Sequence, residues 1–295
     1  MCTMKKKFQM IGFALSVLLV TLPIVTVGAD NAASGKQKKE KTTESALGVK
    51  PVTGSWINLA YKDVRNKYTN PQSFDNMDPK LWEAKVRELS AMGIEYLVLM
   101  EVANEGKSYY PSQIMPWWYN KDKKSPVDAI LDEAAKHNMK IFMSSGWAKD
   151  QDDNLLDPAI KERQLQIMEE LASLYKNHKA FYGWYLPGED CLCPIFAEHA
   201  VQSVNTLSEK AKKLAPGKKT LISPYGIGLS EFDNPEYEKQ MQKLKVDIIA
   251  YQDEVGCVRD QFTLPRLKKN WQRLRDIHNR LNIEMWANCE TFTWE

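Results

Sequence analysis

Histidine and cysteine are scarce in this chain of 295 residues, at four and five respectively. The histidines, His137, His178, His199 and His278, fall inside or at the ends of predicted helices, away from strand ends, so none is given a catalytic role. No G-x-S-x-G elbow appears, and the Cys/His pairing of a thiol protease is absent. Cys191 and Cys193 form a C-x-C, but Cys257 and Cys289 are distant singles and no histidine joins them. That is poor spacing for zinc, so no metal and no cofactor is expected. No strand end reads G-x-G-x-x-G or carries a phosphate-binding loop, which argues against a nucleotide enzyme. An excess of one charge is also missing: 40 Lys and Arg face 38 Asp and Glu. Removing Lys5, Lys6 and Lys7 with a leader would leave 37 against 38, too little positive charge for a nucleic-acid partner.

What is present begins with that leader. Met1 to Lys7 is short and basic, residues 8–27 are apolar, and Val27-Gly28-Ala29 offers small residues for cleavage. This is a secretory signal pattern over residues 1–29, expected to deliver the chain to the cell envelope, periplasm or outside. The alternative is a retained anchor, since roughly 20 apolar residues can span a bilayer, and a membrane partner is expected only in that case. Residues 30–50 are rich in Lys, Thr, Ser and Gly and read as a disordered tether. Residues 51–295 then form the folded part, in a chain whose 43% hydrophobic content is enough for a full core.

From Thr53 onward, short apolar runs alternate with helical ones. The runs are 56–59, 94–100, 140–144, 181–185, 220–223, 247–251 and 283–287, giving seven strands. Asp78-Pro79, Ser125-Pro126, Asp157-Pro158 and Asn234-Pro235 each place a side-chain acceptor at the N-cap and proline at the first helical position. Gly93 and Asn138 suit left-handed helix ends. Continuously apolar strands alternating with helices imply a parallel α/β sheet, and without a nucleotide loop the TIM-type (β/α)8 barrel is favoured over a doubly wound sheet. The eighth strand has no counterpart in the sequence before Glu295.

Active sites of such barrels form from the loops after the strands. Those loops carry Glu101, Trp117, Trp118, Trp147, Asp150, Glu189, Asp190, Tyr225, Asp253, Glu254, Asn288 and Glu290. Glu189 after strand four and Glu290 after strand seven would face each other across the mouth, as glycoside hydrolysis requires of an acid and a second carboxylate. They are the expected catalytic pair. Asp253, Asn288, Tyr251, Trp117, Trp118, Trp147 and Trp286 are the expected substrate contacts, the tryptophans as stacking platforms. Trp56, Trp82 and Trp271 are read as core. The four thiols after strands leave three complete disulfide pairings open, with a bond from Cys191 or Cys193 to Cys257 preferred.

The segments Gly183-Trp184-Tyr185-Leu186-Pro187-Gly188-Glu189, Tyr251-Gln252-Asp253-Glu254-Val255-Gly256 and Met285-Trp286-Ala287-Asn288-Cys289-Glu290-Thr291-Phe292 resemble those of the domain-of-unknown-function family numbered 4434. The similarity runs from about Pro51 to the C-terminus. The resemblance implies kinship with TIM-barrel glycoside hydrolases, and the placement of Glu189 and Glu290 resembles the clan whose acid/base follows strand four and whose nucleophile follows strand seven. That clan usually carries Asn directly before the acid/base, whereas Gly188 stands here. The expected function is therefore an exported glycosidase acting on a polysaccharide or glycan with retention. The rival reading is a non-catalytic carbohydrate-binding barrel.

Overall fold

The computed structural model describes residues 51–59, 78–149, 153–188, 190, 192–256 and 263–291. The expected leader and tether, together with Asp150, Glu189, Cys191 and Cys257, lie outside these residues. Seven strands form one parallel sheet in sequential order: β1 (Gly54–Ile57), β2 (Tyr96–Leu99), β3 (Lys140–Ser144), β4 (Phe181–Tyr185), β5 (Lys219–Ile222), β6 (Ile248–Gln252) and β7 (Glu284–Asn288). The sheet curls into a TIM-type half-barrel. Among the described residues β1 and β7 each pair on one side only. A two-residue hairpin, Ala103–Asn104 with Lys107–Ser108, rises from the loop after β2.

Among the described residues six helices lie between the strands: α1 (Pro79–Ala91), α2 (Pro126–Lys136), α3 (Pro158–Tyr175), α4 (Glu198–Leu214), α5 (Pro235–Lys243) and α6 (Leu264–His278). Four start where the sequence places them, because Asp78, Ser125, Asp157 and Asn234 each accept a backbone N–H of the first turn. Such a cap satisfies a donor that the helix leaves open, worth about 1 kcal/mol. Thr263 caps α6 in the same way, while α4 begins at Ala197 without a side-chain cap. Gly93 and Asn138 both adopt positive φ.

Side-chain alternation divides the sheet into two faces. Leu97, Leu99, Ile141, Met143, Trp184, Ile222, Ile249 and Tyr251 face the helices in one large apolar core. Val98, Met100, Phe142, Tyr185, Leu221, Ile248 and Ala250 face the interior, with Trp56, Tyr96, Tyr182 and Trp286 packed against them. Gly183 marks a close approach, since a Cβ there would lie 2.6 Å from the Lys219 carbonyl and 2.7 Å from the Phe142 ring. The β3–β4 register shifts beside this point, between Ile141 and Phe142.

β1 begins and ends two residues earlier than expected. Its ladder with β2 stops at Ile57, and the Leu59 N–H instead donates to the Glu101 carboxylate at 3.1 Å. A buried N–H needs some acceptor, and here a side chain replaces the neighbouring strand. Trp82 and Trp271 pack against the outer core and Trp56 against the interior, as their core reading requires.

Candidate active site

The interior changes character at its C-terminal end. Continuing the period of two from the apolar interior residues brings Asn58, Ser144, Ser223, Gln252 and Asn288 to the same face, level with the ends of their strands. The Asn288 amide donates to Ser223 Oγ at 3.0 Å, Ser223 Oγ to the Ala250 carbonyl at 2.8 Å, and the Gln252 amide to the Ser223 carbonyl at 2.9 Å. Ser144, Ser223 and Gln252 are buried. Asn58 Oδ1 is also buried and has no hydrogen-bond partner among the described residues. The mouth thus has a polar floor over an aromatic and aliphatic plug.

The loops after β4 to β7 are laced together above this floor. The Tyr225 N–H donates to the Asp190 carbonyl and the Leu192 N–H to the Tyr225 carbonyl, joining the β4 and β5 loops. The Gly226 N–H donates to Glu254 at 2.8 Å, joining β5 to β6, with Glu254 held at a φ of 55°. Between β6 and β7, the Glu290 N–H donates to Asp253 Oδ1 at 3.0 Å, and the Gly256 N–H returns a bond to Glu290 Oε2 at 2.8 Å. Glu290 is half-buried. Burial pushes the Asp190 carboxyl up from the ordinary range, partly offset by the charge of His199. Its Oδ2 would lie 3.3 Å from a Cβ at position 188, so Gly188 leaves room for that carboxyl.

The other side of the mouth is aromatic. Glu170 on α3 anchors the long loop after β2 by accepting the Tyr110 hydroxyl at 2.8 Å, the Ser112 hydroxyl at 2.6 Å and the Gln113 N–H. Within that loop Trp117 stacks on Tyr119 with centroids 5.1 Å apart, and Trp118 stacks on Tyr109 at 6.2 Å. Their indole N–H groups donate to the Ser112 and Asn104 carbonyls, and Lys121 and Lys107 place ammonium groups 5.0 and 4.3 Å from the respective ring centroids. Trp147 follows β3, where Gly146 takes a positive φ, Ser144 Oγ accepts the Gly146 N–H and the Gln164 amide holds the Ser145 carbonyl. The Trp147 N–H reaches the Ala103 carbonyl, bringing this residue against the hairpin, and its side chain is largely buried.

The family model described as "Domain of unknown function (DUF4434)" matches residues 52–295. The chain belongs to this family. Among solved structures, a "putative alpha-L-fucosidase" from Bacteroides thetaiotaomicron VPI-5482 superposes with a TM-score of 0.60 at 18% identity, over 88% of this chain and 79% of that one. A glycoside hydrolase family 5 protein from Bacteroides vulgatus ATCC 8482 gives 0.48 at 12% identity, over 74% and 46%. The intracellular xylanase TsXylA from Thermoanaerobacterium saccharolyticum JW/SL-YS485 gives 0.45 at 15%, over 70% and 69%. The first of these likenesses shows a shared fold. No curated protein matches the sequence.

For this DUF4434 chain, the structure brings Glu290, Asn288 and Asp253 together at the ends of β6 and β7, and Glu189 lies outside the described residues. Two expected substrate contacts are corrected. Tyr251 faces the helices, with its hydroxyl 2.9 Å from His278 Nε2 and its ring edge-on to Trp271. It is one position away from the interior-facing Gln252, and that single step reverses the face. Trp286 shares the floor's face but sits one layer lower, crossing the interior to meet Tyr96 at 5.1 Å and Phe142 at 5.7 Å. It packs into the plug, partly buried. Asn58, Ser144, Tyr185, Ser223 and Gln252 were not among the expected contacts, although each is the polar or hydroxylated residue closing an interior-facing apolar row. Cys289 is a free thiol, raised by burial and by the Asp253 carboxylate beside it. The Cys193 thiol donates to the Gly226 carbonyl at 3.4 Å, and the preferred partner Cys257 lies outside the described residues.

Proposed function

We propose that this protein is an exported glycoside hydrolase acting on a polysaccharide or glycan. The reading is carried by one observation: a hydrogen-bonding floor of Ser223, Gln252 and Asn288 lies at the strand ends next to the loop that carries Glu290. Such a floor suits hydroxyl groups, and aromatic faces suit the apolar faces of a pyranose. In the retaining mechanism, Glu290 attacks the anomeric carbon as the glycosidic C–O bond breaks, and Glu189 gives its proton to the leaving oxygen. Water then cleaves the glycosyl ester, returning a proton to Glu189. The Gly256 N–H on Glu290 Oε2 orients the nucleophile. Export rests on the basic and apolar leader, with anchoring to the membrane as the outcome if cleavage after Ala29 does not occur.

The test is turnover of a panel of aryl glycosides and polysaccharides by the secreted protein, with the anomeric configuration of the first product followed by NMR. Retention, loss of turnover in Glu290→Gln and Glu189→Gln, and an N-terminus at Asp30 are expected. Inversion would assign the pair a different role. Glycan binding without hydrolysis would identify a carbohydrate-binding barrel.

A further inference from the structure

Asp253 was expected to touch substrate, but its contacts point elsewhere. Oδ1 accepts two backbone N–H groups, that of Glu290 at 3.0 Å and that of Val255 at 3.2 Å. The Asp253 N–H itself donates to the Asn288 carbonyl at 3.1 Å. Asp253 therefore holds the backbone on both sides of Cys289, and its charge helps to raise the Cys289 thiol from its ordinary range. Glu290 answers from the other direction by accepting the Gly256 N–H. The two acidic residues form a reciprocal clasp between the β6 and β7 loops, closed by four hydrogen bonds, three of them between the two loops.

We infer that Asp253 is a positioning residue: it fixes the Cys289-Glu290 backbone so that the Glu290 carboxylate has one orientation at the mouth. This rests on reading Glu290 as the nucleophile, but the clasp itself can be tested without that reading. Two N–H groups converge on the single oxygen Oδ1, and one of them is the main chain of the residue to be aimed. A carboxylate and a carboxamide differ here in a useful way. Both accept N–H groups, while only the carboxylate adds negative charge beside the Cys289 thiol.

The experiment uses the full protein with Asp253→Ala and Asp253→Asn. Three quantities are read: amide hydrogen exchange at Val255 and Glu290, the pH midpoint of Cys289 alkylation by iodoacetamide followed by peptide mapping, and kcat and KM on the aryl glycoside that the wild type hydrolyses fastest. Asp253→Ala should speed exchange at both amides about tenfold or more and lower kcat by a similar factor, with KM nearly constant. Asp253→Asn should keep exchange closer to wild type, lose less kcat than the alanine variant, and move the Cys289 midpoint to lower pH. A raised KM with unchanged kcat and exchange would make Asp253 a substrate contact and overturn the inference. An unmoved Cys289 midpoint in Asp253→Asn would overturn the placement of its carboxylate. If the wild type hydrolyses no glycoside, the nucleophile reading fails, while exchange and alkylation still decide whether the clasp exists.

Discussion

The two sides of the mouth are ordered by different means. On the β2–β3 side, aromatic rings stack on one another, their indole N–H groups tie to nearby carbonyls, and lysines lie over them. On the β4–β7 side, main-chain bonds join the β4 and β5 loops, while from β5 to β7 carboxylates accept main-chain N–H groups from an adjacent loop, Glu254 holding the β5 loop and Asp253 and Glu290 holding each other's. The aromatic side is a local assembly within one long loop and the helix beneath it. The acidic side is a chain of dependencies between strands. A substitution on the first should be felt as lost packing, whereas one on the second should change the geometry of a residue it does not touch.

The sharpest way to break this comparison is Glu290→Gln. If the acidic side carries the chemistry, turnover should fall about 10⁴-fold while the melting temperature changes little, because the amide oxygen still accepts the Gly256 N–H. A variant with most of its activity would remove Glu290 from the reaction. Next in size is Trp286→Ala, expected to cost about 3–5 kcal/mol in denaturant unfolding, since it empties the plug between Tyr96 and Phe142. Weakened glycan affinity at unchanged stability would instead return Trp286 to the binding surface.

Trp118→Ala should cost about 2 kcal/mol, the sum expected from a ring stack, one hydrogen bond and a lysine contact at a half-buried site. Its turnover should change through KM alone; a fall in kcat would show that the two sides are coupled. The smallest effect is expected from Asp190→Asn. Burial raises the folded pKa of Asp190 above its unfolded value, so ionisation opposes folding and stability is lost as pH rises from the unfolded pKa through the folded one. The asparagine variant should therefore melt higher than wild type at neutral pH, with the gap narrowing on acidification. An unchanged gap across that range would show that the carboxyl is better solvated than its burial implies.

The fold was largely legible because helix starts are encoded locally. Asp78, Ser125, Asp157 and Asn234 need only the next few residues to act as caps, and proline after each removes an alternative. Strand faces are harder, because an apolar run such as 247–251 hides its parity until helices cover one side. That is why Tyr251 is expected among the substrate contacts and Gln252, which directly follows the run, is not. Depth along a strand is equally hidden: Trp286 and Asn288 differ by two residues on one face, yet one belongs to the plug and the other to the floor. The roles of Asp253 and Glu254 depend on backbone donors from another loop, and a side-chain alphabet does not show those.

β7 has a further consequence for how this molecule would fail. Among the described residues it pairs with β6 alone, and Glu284 and Ala287 are exposed where the equivalent central strands are buried. Strands of that kind open by sub-global fluctuation well before the rest of a sheet melts. Glu290 lies two residues past this strand, so the proposed nucleophile follows the most exposed of the described strands of the sheet. Heating should then abolish turnover some degrees below the main calorimetric transition, reversibly on cooling, and a saturating glycan that bridges Glu290 to the rest of the mouth should bring the two temperatures together.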